Sequence, residues 1–102
     1  MMSRRDYVET RVKELRRPDT GEMLGVAVQM LGYDRLRVKC LDGATRLCRI
    51  PGRMKKKMWI HVGDIVLIAA WDFDDKRADI LWRYTRDEVK RLEGEGILKL
   101  PG

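Results

Sequence analysis

The stretch Arg35-Leu36-Arg37-Val38-Lys39-Cys40 alternates without a fault between cationic and apolar residues. A period of two suits a β-strand, because successive side chains leave a strand on opposite faces. Leu36, Val38 and Cys40 then point into a core, and Arg35, Arg37 and Lys39 point out. Asp42-Gly43 follows at once and is a tight-hairpin signal. Thr45-Arg46-Leu47-Cys48-Arg49-Ile50 returns as the second strand. Whatever this chain folds into must lay a cation-faced hairpin over a hydrophobic core.

The flanking sequence supplies more strands. Met23 to Leu31 places Leu24, Val26, Val28 and Met30 on one face, and Gly25 within it suggests a bulge or a strong bend. The strand from Thr45 to Ile50 alternates less cleanly, with apolar residues on both faces, and Pro51-Gly52 stops it. Ile65 to Trp71 reads as a buried strand. Asp72-Phe73-Asp74-Asp75 joins it to a strand on which Ala78, Ile80, Trp82 and Tyr84 share a face. Trp71 and Trp82 are accordingly expected in the core. Thr85-Arg86-Asp87-Glu88 has the spacing of a capping box, so a short helix should follow with Val89 and Leu92 inward, ending at Gly94 or Gly96.

Five strands and one short terminal helix predict an all-β domain, a five-stranded OB-fold β-barrel, since closure removes the exposed strand edges. An SH3-like barrel is the rival, and periodicity alone does not separate the two. The expected organisation is a basic tail over residues 1–21, a barrel over 22–84 and a helix with a terminal tail over 85–102. Val8, Val12 and Leu15 fall at helical spacing, but the charge density around them favours a tail.

Charge is unevenly spread. The chain of 102 residues carries 22 Lys and Arg against 16 Asp and Glu. Residues 35–57 hold nine cations and one acid, Asp42, whereas residues 64–102 hold seven cations and nine acids. A merely solvated surface mixes its signs more evenly. A concentrated positive segment favours a polyanionic partner, because neutralising phosphates releases counterions.

Little supports other chemistries. No apolar run approaches the roughly 20 residues of a membrane span, and Met1 to Arg17 has no hydrophobic stretch of a secretory signal. Two cysteines make no disulfide framework, and Cys40 and Cys48 lack zinc spacing, so buried free thiols and a cytoplasmic setting are expected. His61 is the single histidine and has no catalytic neighbour. Asp72, Asp74 and Asp75 are the one acidic trio a metal-dependent nuclease would use, but no supporting base accompanies them. No cofactor, metal site or enzymatic activity is expected.

Nucleic-acid binding has better support. An OB-fold presents the face of its second and third strands to nucleic acid. Here that face is expected to carry Arg35, Arg37, Lys39, Arg46 and Arg49, extended by Arg53, Lys55, Lys56 and Lys57. Trp59 lies two residues beyond, and two readings stand: it stacks on a base, or it anchors the loop from the core. A general single-stranded RNA binder or RNA chaperone would share these features.

The run from Asp42 to Ile60, with Arg46-Leu47-Cys48-Arg49-Ile50-Pro51-Gly52-Arg53-Met54-Lys55-Lys56-Lys57-Met58-Trp59-Ile60 at its heart, closely resembles the central block of the archaeal and eukaryotic translation initiation factor 1A family. Val28-Gln29-Met30-Leu31-Gly32, Gly63-Asp64-Ile65-Val66-Leu67 and Lys76-Arg77-Ala78-Asp79-Ile80 extend the resemblance in order, so that it covers about Glu22 to Leu92. It implies an OB-fold that binds the small ribosomal subunit and its rRNA near the decoding site. It also implies promotion of subunit dissociation and stabilisation of initiator methionyl-tRNA, as a monomer working beside initiator tRNA and other initiation factors and away from membranes. The RNA-contacting surface that it implies maps onto Arg37, Lys39 and Arg46 and onto the loop Arg53, Lys55, Lys56 and Lys57, with Trp59 beside it. Eukaryotic members carry a long acidic C-terminal tail. Leu100-Pro101-Gly102 shows none, so contacts through such a tail are not expected.

Overall fold

The computed structural model describes residues 15–32, 34–52 and 59–98. Five strands, β1 (Glu22–Met30), β2 (Arg35–Cys40), β3 (Thr45–Arg49), β4 (Ile65–Trp71) and β5 (Asp74–Arg83), precede one helix, α1 (Arg86–Gly94). The strands close in the order β1-β2-β3-β5-β4, with β4 returning to β1. All pairs are antiparallel except β3 with β5, which run parallel. A sheet joined by hairpins alone would be antiparallel throughout. This closure through a parallel pair is the OB-fold rather than the SH3-like alternative.

Two apolar clusters hold the domain. The barrel interior contains Leu36, Val38, Cys40, Cys48, Val66, Ile68, Ala78 and Ile80. A second cluster lies outside the barrel wall, where Leu24, Ile65 and Leu67 are covered by Leu15, Tyr84, Leu92 and Leu98. Strand β4 is buried on both sides over its first four residues for this reason. β1 is likewise two-sided, so Leu24 and Val26 face the helix layer, while Ala27 fills the barrel.

Two irregularities reassign residues that strict alternation places wrongly. The bulge in β1 lies between Ala27 and Gln29 rather than at Gly25, and it turns Val28 out to 42% exposure. Gly25 instead marks close approach: β1 is paired on both sides there, with Cys40 and Val66, and an added Cβ would sit 2.4 Å from Val38 Cγ1. A register shift between Leu67 and Ile68 leaves Leu81 as the extra residue of β5. Ala78 and Ile80 point into the barrel as expected, but Leu81 and Tyr84 join the outer cluster and Trp82 is 38% exposed. Trp82 is therefore not a core residue.

The capping box forms: Thr85 accepts from the Glu88 amide, and the Glu88 carboxylate accepts from the Thr85 amide. Leu92 is fully buried and Val89 packs beside it. The helix ends at Gly94, and Gly96 takes the positive φ of +75° that lets the chain turn back so the Ile97 amide reaches the Leu92 carbonyl. Among the described residues, packing against the barrel begins before Glu22. Leu15 is buried, the Arg16 carbonyl accepts from Tyr84 Oη at 2.5 Å, and Arg17 makes a two-pronged pair with Glu95 at 2.8 Å. The rest of the expected N-terminal tail lies outside the described residues.

Candidate nucleic-acid interface

The cation-faced hairpin forms as its alternation requires. Arg35, Arg37 and Lys39 are exposed on β2 while Leu36, Val38 and Cys40 are buried. Register sets what joins them. Arg49 lies opposite Arg35 and Leu47 opposite Arg37, so β3 adds one cation and an apolar residue to the outer face. β5 continues these rows, since Leu47 pairs with Arg77 and Arg49 with Asp79. β4 closes them, since Ala69 pairs with Asp79. The outer surface of β2, β3 and β5 is thus one continuous sheet face bearing Arg35, Arg37, Lys39, Arg49 and Arg77. Arg37 is steadied by donating to Gln29 Oε1 at 3.3 Å across the β1–β2 pair.

Arg46 does not belong to that face. It pairs in register with Val38, whose side chain points inward, and it is 7% exposed. Its guanidinium grips both oxygens of Asp42 at 3.1 and 2.9 Å and donates through Nε to the Asp75 carbonyl at 2.6 Å. The residue ties the β2–β3 hairpin to the start of β5 and closes one end of the barrel. This bidentate partner holds the Asp42 carboxyl below its usual range, with the Ala44 amide adding to the effect. Hydrogen bonding to Asp42 also raises the Arg46 pKa, so the pair is charged at any ordinary pH. The alternation in β3 predicted apolar residues on both faces, and Arg46 is the physical reason: a paired cation occupies an inward position while Leu47 occupies an outward one.

Trp59 is 76% exposed, which overturns the reading in which it anchors the loop from the core. Its backbone is nonetheless fixed, because Arg83 Nη1 donates to the Trp59 carbonyl at 2.6 Å. The indole therefore stands in solvent on a held main chain. Arg53, Lys55, Lys56 and Lys57 lie outside the described residues.

Trp71, expected in the core, sits half-buried on the outer side at the end of β4. Its Nε1 donates to Asp79 Oδ1 at 3.2 Å, and the guanidinium carbons of Arg49 and Arg77 lie 5.7 and 5.6 Å from its ring centroid. Arg49 also pairs with Asp79 at 3.4 Å, and Arg77 with Asp74 at 3.5 Å. Phe73 follows in the β4–β5 turn, 86% exposed. Charge counting missed Arg77 because it lies among Asp72, Asp74, Asp75 and Asp79. The available signal was Trp71-Asp72-Phe73-Asp74, two aromatics interleaved with acids at a turn, which a core has no use for.

Among the described residues no group of three His, Cys, Asp or Glu is placed to hold a metal. Asp74 is engaged by the Lys76 amide and by Arg77. Cys40 and Cys48 are buried free thiols, and burial raises the first and pushes the second up to about 12, so neither supplies a thiolate at neutral pH. No helix among the described residues is long and apolar enough to cross a membrane.

The family model described as translation initiation factor 1A / IF-1 matches residues 12–101. Translation initiation factor 1A of Methanopyrus kandleri is 51% identical over 87 residues, which are 85% of this chain and 78% of that protein. The factor of the same name from Methanothermobacter thermautotrophicus is 48% identical, covering 94% of this chain and 98% of its own. Among solved structures, the solution structure of translation initiation factor IF-1 from the Wolbachia endosymbiont of Brugia malayi superposes with a TM-score of 0.52 at 26% identity, over 70% of this chain and 84% of that one.

Proposed function

The chain belongs to the translation initiation factor 1A / IF-1 family, and on that premise we propose that it binds the small ribosomal subunit through rRNA near the decoding site. It acts in translation initiation, as part of a family of initiation factors rather than enzymes. Bound there as a monomer in the cytoplasm, it promotes separation of the ribosomal subunits and stabilises initiator methionyl-tRNA alongside other initiation factors.

The observation that carries the reading is the continuous outer face of β2, β3 and β5. It presents Arg35, Arg37, Lys39, Arg49 and Arg77 with Leu47 between them, on strands whose other side is packed core. Such a face suits a phosphate backbone, because arginine forks match phosphate oxygens and lysines add mobile point charge. The packed core behind these strands sets the spacing of the positions that carry the cations. Arg53, Lys55, Lys56 and Lys57 precede Trp59 in the sequence, and the exposed Trp59 indole offers a stacking surface.

Two measurements test this. Replacing Lys55, Lys56 and Lys57 together by Gln weakens binding to purified small subunits and lowers the salt slope by about 2 to 3, at roughly 0.9 per lost phosphate contact; unchanged affinity and slope would remove the loop from the interface. Gradient sedimentation of lysate then separates a factor from a general RNA binder. A factor co-migrates with free small subunits, whereas a general binder spreads across RNAs of all sizes.

A further inference from the structure

The turn between β2 and β3 carries a covalent reactivity that its role as a hairpin does not require. Asp42 is followed by Gly43, the only Asp-Gly pair in the chain, and the sequence contains no asparagine. Every other aspartate precedes a residue with a side chain. Glycine matters here because it has no Cβ to shield its amide nitrogen or to restrict the backbone. In such a pair that nitrogen is one five-membered ring away from the aspartate's own carboxyl carbon. Asp42 and Gly43 are both exposed, so water and a modifying enzyme can reach them.

Ring closure has three requirements, and the fold opposes each. The carboxyl must be neutral, because an ionised carboxylate does not release an oxygen as water. Arg46 holds both Asp42 oxygens, at 3.1 and 2.9 Å, and keeps the group charged. The carboxyl carbon must be free to swing onto the Gly43 nitrogen. Asp42 Oδ1 also accepts from the Ala44 amide at 3.0 Å, so the group is tied by three donors. The Gly43 nitrogen must shed its proton, and that N–H donates to the Cys40 carbonyl at 2.9 Å. The Cys40 and Ala44 contacts are local to the turn. Arg46 differs, because it is anchored beyond the hairpin: its Nε donates to the Asp75 carbonyl at the start of β5 at 2.6 Å, and it is buried. The strongest of the restraints therefore exists only while β3 and β5 are closed on one another.

We propose that Asp42-Gly43 is a latent isoaspartate-forming site that Arg46 holds shut, and that it isomerises when this end of the barrel opens. The step needs no cofactor and no change of oxidation state. The Gly43 nitrogen gives up its proton and bonds to Asp42 Cγ, and one carboxyl oxygen leaves as water. A second water then opens the ring at the former main-chain carbonyl, breaking that carbon's bond to the Gly43 nitrogen. The main chain now runs through Asp42 Cβ and Cγ, and the old carbonyl carbon ends as a free carboxylate. The turn that closes the Lys39–Thr45 pair gains one main-chain atom, and Arg46 loses the side-chain carboxylate that it gripped. The product has the chemistry that an isoaspartyl methyltransferase recognises. This site is independent of what the outer face binds.

The test follows isoaspartate at residue 42 in the intact chain held in warm neutral buffer. Methyl acceptance from labelled S-adenosylmethionine, catalysed by a purified isoaspartyl methyltransferase, measures the amount. A peptide map in oxygen-18 water places it, since ring opening leaves one labelled oxygen at Asp42. The native chain should form isoaspartate at least about ten-fold more slowly than the same chain in urea, the factor that loss of charge-assisted hydrogen bonds implies. Folded Arg46→Ala should approach the rate in urea. Arg46→Lys, which offers a point charge in place of a fork, should fall between the two. Asp42→Glu should form none, because its ring would need six members. Equal rates for the native and denatured parent chain would overturn the proposal. So would a folded Arg46→Ala chain as slow as the parent, since the turn alone would then protect the pair. If Arg46→Ala does not fold, Arg46→Lys decides, and a rate equal to the parent's overturns the role of Arg46.

Discussion

The barrel has two outer faces built from the same kind of strand, and they meet opposite fates. On the β1–β4 side, Leu24 pairs with Leu67 and Val26 with Ile65, and these side chains are roofed by Leu92, Leu98, Tyr84 and Leu15. On the β2–β3–β5 side the outward positions are Arg35, Arg37, Lys39, Arg49 and Arg77, and nothing in the described chain covers them. The boundary falls within β4 itself. Ile65 and Leu67 lie under the helix layer, whereas Ala69, two residues on, pairs with Glu22 and is only half-buried. An outward position is not thereby a solvent position. It becomes one only where no later element returns to cover it.

The heaviest loss of stability falls on the roofed side. Leu92→Ala should cost about 2–5 kcal/mol, because it removes a fully buried side chain from the layer that joins α1 to β1 and β4. Denaturant unfolding reads the loss, and RNA affinity per folded molecule should stay unchanged. A comparable fall in RNA affinity would mean that the two faces are coupled rather than separate.

Arg46→Ala comes next, at about 2 kcal/mol, since it strips Asp42 and the Asp75 carbonyl of their donor at a position partly open to water. The same pair has a pH signature. Its folded-state carboxyl pKa is lowered, so its contribution is complete above the ordinary carboxylate range and is lost as pH falls through that depressed value. Acid unfolding of Asp42→Asn should therefore show a shallower pH dependence than the parent chain. Equal acid profiles would show that the pair contributes no linkage. Thr85→Ala should cost about 1 kcal/mol by removing the cap that accepts from the Glu88 amide. Trp59→Ala should change stability by less than about 0.5 kcal/mol, given an indole 76% exposed, while lowering RNA affinity. A larger destabilisation would return Trp59 to an anchoring role.

How far this division was legible in the chain follows from what each residue depends on. Leu36, Val38 and Cys40 against Arg35, Arg37 and Lys39 could be assigned directly, because strand period and polarity agree at every position. The capping box at Thr85 and the inward placement of Leu92 were readable for the same reason, being local. Val28 and Trp82 were misplaced because a bulge in β1 and an extra residue at Leu81 reverse the parity of all that follows, and nothing in the side chains announces such a shift. Arg46 was misplaced because a cation reads as outward until its partner is known, and Asp42 is identified as that partner only by the turn between them. Apolar character alone points Trp71 inward. Where it belongs depends on α1 stopping short of it, which is a fact of packing rather than pattern.

On the proposed function RNA meets the open face and not the roofed one. The salt dependence of binding to purified small ribosomal subunits separates these, comparing the parent chain with the triple variant Arg35→Gln, Arg37→Gln, Lys39→Gln. The expected result is a slope of log affinity against log salt that is shallower by about 2 to 3, with an unfolding midpoint unchanged, because these three side chains stand outside both packed clusters. A triple variant that binds with the parent's affinity and slope would contradict it.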